Sequence, residues 1–146
     1  MVTYALGEAL VFWPYYILVT AYCGLIFWIS GQPDPPVTAD LFPHFDKLQH
    51  IVAFGLLAGL VLTGMKHSGK SYTLRVLFWV PVVFTVAFGL SDEFHQGFIP
   101  KRSVDPLDII ADTTGAALAT WLLLRHWHGH SKAALRGAVR FNADGY

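Results

Sequence analysis

Four long apolar stretches, nearly free of charge, constrain this chain more than any other feature. A helix rises about 1.5 Å per residue, so roughly 20 mostly apolar residues cross a hydrocarbon core of about 30 Å. Residues 9–29 carry no charge, 48–65 hold only His50, and 74–90 hold only Arg75 at their edge; 107–124 hold Asp108 and Asp112 near their start. Inside lipid every backbone N–H and C=O must be satisfied within the segment, so these stretches predict helices. The composition agrees: 54% of residues are hydrophobic and 14% charged, against about a quarter charged in soluble domains. The chain is therefore expected to be all-α, a polytopic membrane four-helix bundle. Its spans and loops belong to a transmembrane domain over 1–124, followed by a basic tail over 125–146.

Local residues refine the spans. Trp13, Tyr15, Tyr16, Trp28, Trp79, Trp121 and Trp127 fall mostly near span ends, where amphipathic rings favour the headgroup layer. Pro14 suits an early helical turn, whereas Pro81 is expected to kink the third span. Gly55 and Gly59, and Ala111, Gly115 and Ala119, place small residues four apart, which predicts close packing of the second and fourth spans. Few charges precede the first apolar run, so an uncleaved first helix is expected rather than a signal peptide. The lone Cys23 excludes an intrachain disulfide and reads as a packing residue.

Orientation follows from the basic residues. Lys66, Lys70, Arg75, Arg125, Lys132, Arg136 and Arg140 lie on one side, Lys47, Lys101 and Arg102 on the other. The richer side is expected to be cytoplasmic, which puts both termini in the cytoplasm. Ten Lys+Arg balance ten Asp+Glu, and no basic stripe alternates with aromatics, so nucleic acid is not an expected partner.

The remaining charges are concentrated. Asp46, Lys47 and His50 open the second span, with Asp46 and His50 four apart on one face, where the carboxylate is expected to orient the imidazole. Asp92, Glu93 and Gln96 close the third, and Lys101 and Arg102 follow in a loop. Asp105, Asp108 and Asp112 form one line along the start of the fourth. Because successive spans alternate direction, all three groups are expected at one membrane face. Charged groups in a bilayer are costly and usually face the interior, where they do a job. His50, Glu93, Asp92 and Asp46 are the acid–base candidates. Lys47, Arg102, Lys101 and Gln96 are candidates for holding phosphate, Arg102 through a bidentate fork. Asp105, Asp108 and Asp112 support them, and the carboxylates can alternatively hold a divalent cation, although no metal ligand set is assigned.

A ligand with a charged head and an apolar tail fits such a site: a phospholipid or a polyprenyl phosphate among the membrane lipids. Ion pairs that merely neutralise one another and fix register are the competing structural reading; in that reading Asp46 is a helix cap and Asp105 with Pro106 a helix start. In the tail, His126, His128 and His130 could share a metal only on an extended or looped backbone. The basic tail suits an anionic leaflet. The stretch Gln32-Pro-Asp-Pro-Pro36 reads as stiff and non-helical.

These residues resemble the VanZ-like family of small bacterial membrane proteins. Asp46, Lys47 and His50 match its D-K-x-x-H signature. Asp92, Glu93 and Gln96, then Pro100 and Arg102, then Asp108 and Gly115 match the second. Lys101 stands where the family usually has glycine, and Asp112 where it usually has asparagine. The resemblance implies a multi-pass protein of a bacterial inner or cytoplasmic membrane. It also implies a role related to that of the founding member, which is associated with teicoplanin resistance, and a polar motif acting on lipid head groups. On that basis the chain is expected to transfer or hydrolyse a phosphoryl-linked head group, or alternatively to bind a lipid or glycopeptide without catalysis. Proton-linked transport is a further alternative.

Overall fold

The computed structural model describes the backbone of residues 2–33 and 43–143 and the side chains of residues 13–33 and 43–129. It contains four helices in order: α1 (Val2–Ser30), α2 (Phe45–Lys66), α3 (Leu74–Gln96) and α4 (Pro106–Ala143). No strand occurs among the described residues. All four helices are long and apolar enough to cross a membrane, over Trp13–Ser30, Phe45–Lys66, Leu74–Gln96 and Pro106–Gly129. The chain is a four-helix multi-pass membrane protein.

Side-chain pairings give the helix directions. Lys47 meets Asp108, Gly55 faces Gly115, and Gly59 faces Leu123, so α2 and α4 run the same way. Gly89 faces Asp112, and Glu93 accepts from the backbone of Asp105, so α3 runs against them. Tyr15 stacks on His67 and Tyr22 donates to the Ala53 carbonyl, so α1 also opposes α2. The start of α1 and the far end of α4 thus lie at one end of the bundle.

The expected small-residue contact is present. A Cβ built on Gly115 would fall on the backbone of Ile51, and one on Gly55 would come within 3.1 Å of the Gly115 carbonyl oxygen. Here α2 and α4 touch backbone to backbone, which only glycine allows. Around this seam pack Ala58, Val82 and Ala116 on one side and Ile26, Phe54 and Leu57 on the other. The outer faces remain apolar: Trp13, Trp28, Trp79, Val83, Ile110 and Leu122 are exposed, as lipid-facing residues must be.

Several boundaries differ from the sequence reading. The residue capping α2 is His44, in the left-handed region at φ 65° and without a side-chain cap bond, so Asp46 lies inside the first turn rather than capping it. Asp105 does cap α4, accepting from the Leu107 N–H at 2.9 Å with Pro106 in the first turn. Helix α3 contains Pro81 and runs on beyond residue 90 to Gln96. Helix α4 runs on past 124, so His126 and His128 lie on a helix rather than on the extended backbone that a shared metal would need. Residues 34–36 of the stiff stretch and the side chains of His130, Lys132, Arg136 and Arg140 lie outside the described residues.

Lys101 takes φ 66°, the left-handed region that costs a side-chain-bearing residue roughly 1–2 kcal/mol. Glycine at this position in the resembling family fits the same turn. Lys101→Gly is expected to raise thermal stability, by about 0.5 kcal/mol after the added freedom of the unfolded chain is set against the relieved strain. Circular dichroism melts in detergent read this directly, and a fall in stability would show that the Lys101 side chain contributes more than the strain costs.

Candidate functional site

Three expected groups meet at one end of the bundle, and a fourth element joins them. Lys47, in the first turn of α2, lies under the start of α4. Its ammonium donates to Asp108 Oδ1 at 2.7 Å and to Asp105 Oδ2, and lies 2.9 Å from Asp46 Oδ2. The Lys47 ammonium thereby holds the Asp105 carboxyl below the usual carboxylate range. One cation is shared by three carboxylates, of which Asp108 is the most buried.

One turn deeper, His50 turns away from Asp46 and towards α4. Its Nδ1 lies 2.9 Å from Asp112 Oδ1, and its Nε2 lies 3.6 Å from Asp108 Oδ1. With Asp112 ionised, Nδ1–H donates to its Oδ1, and Nε2 faces Asp108. The expectation that Asp46 orients the imidazole fails: four-residue spacing allows that pair, but Lys47 holds Asp46 and α4 supplies a closer partner. Among the described residues the second Asp112 oxygen finds no hydrogen-bond partner, and it is pressed against Gly89. The His50 ring stacks on Phe54, 5.7 Å between centroids and 3° between planes, which fixes its tilt.

Helix α3 supplies a second buried group. Glu93 is 2% exposed; its Oε2 accepts from the Asp105 N–H at 3.0 Å. Gln96 donates to Asp92 Oδ2 at 2.9 Å and, more weakly, to Glu93 Oε1 at 3.4 Å. Asp92 Oδ1 accepts from the Ser30 hydroxyl at 2.6 Å. Arg102 reaches the Ser30 carbonyl through Nε and one terminal nitrogen, both at 3.4 Å, which are long bonds for a guanidinium. Lys101 is exposed.

Ser30 was not visible as a site residue in the sequence. It ends a span without charge, and only its position, at the end facing the polar groups, could have drawn attention to it. His95 belongs to the same junction: its ring stacks on Phe27 at 3.8 Å, while its buried Nδ1 finds no partner among the described residues.

His50, Glu93 and Asp108 each offer one ligand atom, all within 4.8 Å of one another, and Asp46, Asp105 and Asp108 do likewise. The second trio already surrounds the Lys47 ammonium. The first is the set whose nitrogen and oxygen donors suit a divalent cation. The same three groups, an imidazole between two carboxylates, can also pass a proton among themselves.

A family model, VanZ/LLP1, matches residues 5–127, most of the chain and every residue of this cluster. The chain belongs to the VanZ/LLP1 family. No curated protein and no solved structure matches it significantly. The family match bears out the resemblance read from the sequence, and the cluster brings Lys47 and His50 of α2 together with Asp105, Asp108 and Asp112 of the α4 start.

Beside the cluster, a groove of about 370 Å³ runs between α3 and α4. Its walls are Leu90, Phe94, Gly97, Phe98, Val104 and Ile109, and Glu93 is the ionisable residue among them. Phe94 and Phe98 meet edge to face and are both 71% exposed, so the groove opens on the outer surface of the bundle.

Proposed function

We propose that this VanZ/LLP1 protein acts on the phosphate-bearing head group of an envelope lipid, at the outer face of the cytoplasmic membrane. The observation that carries this reading is the apolar groove lined by Glu93 and open to the lipid side. An acyl or polyprenyl chain laid along Phe94, Phe98 and Val104 would bring its head group to Glu93, with His50 and Asp108 just behind. Ligands of this kind bury an apolar body and are oriented by a few convergent polar groups.

In this reading a water, or an acceptor hydroxyl in a transfer, attacks phosphorus; of His50 and Glu93 one takes the proton of the attacking oxygen and the other protonates the leaving oxygen as its bond to phosphorus breaks, and Asp112 positions His50 through Nδ1. Lys47 is committed to three carboxylates, so its part is to hold the site's geometry. Arg102, on long bonds to the Ser30 carbonyl, is the cation that can turn to phosphate, where a bidentate fork is stronger than either bond it leaves. Altering lipid-linked material at the envelope is also how such an activity would bear on glycopeptide susceptibility.

Glu93→Gln tests the reading, because it keeps the shape and the bond from Asp105 but removes the proton-transfer group. Polyprenyl-phosphate and phospholipid substrates are offered to the purified protein and release of phosphate or head group is measured. Turnover is expected to fall about a hundredfold or more, the size of a lost general acid–base group, with an unchanged melting temperature. Unchanged turnover would remove Glu93 from the chemistry. Lipid bound equally by wild type and variant, with no turnover in either, would favour the non-catalytic binder.

A further inference from the structure

The opposite end of the bundle has a different chemistry. There a groove of about 290 Å³ lies between the first turn of α3 and the later turns of α4, lined by Leu74, Phe78, Trp121, Leu124, Arg125 and His128. Leu74 and Phe78 are four apart on α3; Trp121, Arg125 and His128 lie at i, i+4 and i+7 on α4 and so share a face. The floor is apolar and aromatic, and the mouth is cationic.

Among the described side chains of residues 43–129 the charges separate sharply along the bundle. Every acidic side chain described between 43 and 129, namely Asp46, Asp92, Glu93, Asp105, Asp108 and Asp112, belongs to the polar cluster. Lys66, Lys70, Arg75 and Arg125 occupy the other end with no described carboxylate among them. Lys66 lies over the Trp127 ring at 3.7 Å. The Arg125 guanidinium lies over Trp121 at 5.3 Å, held at the groove without a carboxylate partner among the described residues. The N-terminus of α3, capped by Thr73, adds the positive end of a helix dipole to the same mouth.

We infer that this groove binds an anionic phospholipid, with its phosphate at Arg125 and the start of α3 and its upper acyl chain against Phe78, Trp121 and Leu124. Charge complementarity selects the occupant: a zwitterionic lipid brings its own cation to a mouth that already has one, and a soluble anion makes no use of the apolar floor. The site is separated from the polar cluster by the length of the helices, and its occupancy does not depend on what the cluster does.

Native mass spectrometry of the full chain, released from detergent after incubation with phosphatidylglycerol or phosphatidylcholine of identical acyl chains, tests this. The expected result is preferential retention of phosphatidylglycerol. Arg125→Gln, at an exposed position whose loss leaves the fold intact, should weaken that retention about tenfold, the size of one charge-assisted bond to phosphate. Lys66→Gln removes a positive charge at the same end but over Trp127 and outside the groove, and should leave retention nearly unchanged. Excess inorganic phosphate should not displace the lipid. Equal retention of both lipids, equal loss in the Arg125 and Lys66 variants, or displacement by inorganic phosphate would each overturn the assignment. Because none of these measurements involves turnover at Glu93, their failure and that of the proposed activity are distinguishable.

Discussion

Lys47→Met is expected to destabilise the protein by about 3 kcal/mol, the low end for breaking a buried ion pair by removing one partner. Methionine keeps the length and apolar stem of lysine but leaves Asp46, Asp105 and Asp108 without their shared cation. The three do not weigh equally. The Asp46 and Asp105 side chains are 58% and 36% exposed and can be screened by water, whereas Asp108 is 10% exposed and has no such recourse. Most of the loss therefore belongs to Asp108, and Lys47→Met combined with Asp108→Asn should recover a large part of it. Unfolding by denaturing detergent, followed by circular dichroism, measures both variants. A single variant within about 0.5 kcal/mol of wild type, the usual range for an unimportant surface change, would show that the ammonium is not what holds these carboxylates together.

Gly115→Ala should be at least as damaging, for a steric reason. The added methyl would occupy the place of the Ile51 backbone, so α2 and α4 must separate. Overpacking a tight contact costs about 1–3 kcal/mol where side chains can adjust, and here the obstacle is backbone, so a loss above about 3 kcal/mol is expected. Separation of these two helices also draws His50 from Asp112 and Lys47 from Asp108, so any lipid turnover should fall together with stability. Gly59→Ala is the internal control. Its Cβ would meet only Leu123 Cδ1, at 3.4 Å, an ordinary contact. Similar melting temperatures for the two alanine variants would refute the backbone seam.

The four spans were legible because each apolar run is interrupted by charge or proline at about the membrane thickness. The convergence of polar groups was legible because alternating helices bring the matching ends of α2, α3 and α4 to one side. Pairing within the site was not. Sequence spacing sees neighbours along one helix, and so offered Asp46 as the partner of His50; the actual partner, Asp112, is fixed by the relative height of α2 and α4. That height is set where Gly55 and Gly115 let two backbones touch, a contact the small-residue pattern suggests without giving its register. Lys47 likewise reads as an available cation until α4 is placed over it. Ser30 could not be found from charge at all, since its role comes from the position of a neutral hydroxyl beside Asp92.

The polar links of α1 make the site a property of all four helices. Helix α1 has no charge between residues 9 and 29, whereas α2 and α4 bring Lys47, His50, Asp108 and Asp112, which pair across the two helices. The described polar links of α1 run from Tyr22 to the Ala53 carbonyl, from Ser30 to Asp92 and from Arg102 to the Ser30 carbonyl, and each ends outside α1. Removal of α1 would leave Asp92 with Gln96 and without the Ser30 hydroxyl, so a helix that carries no charge of its own in its span still completes the polar site.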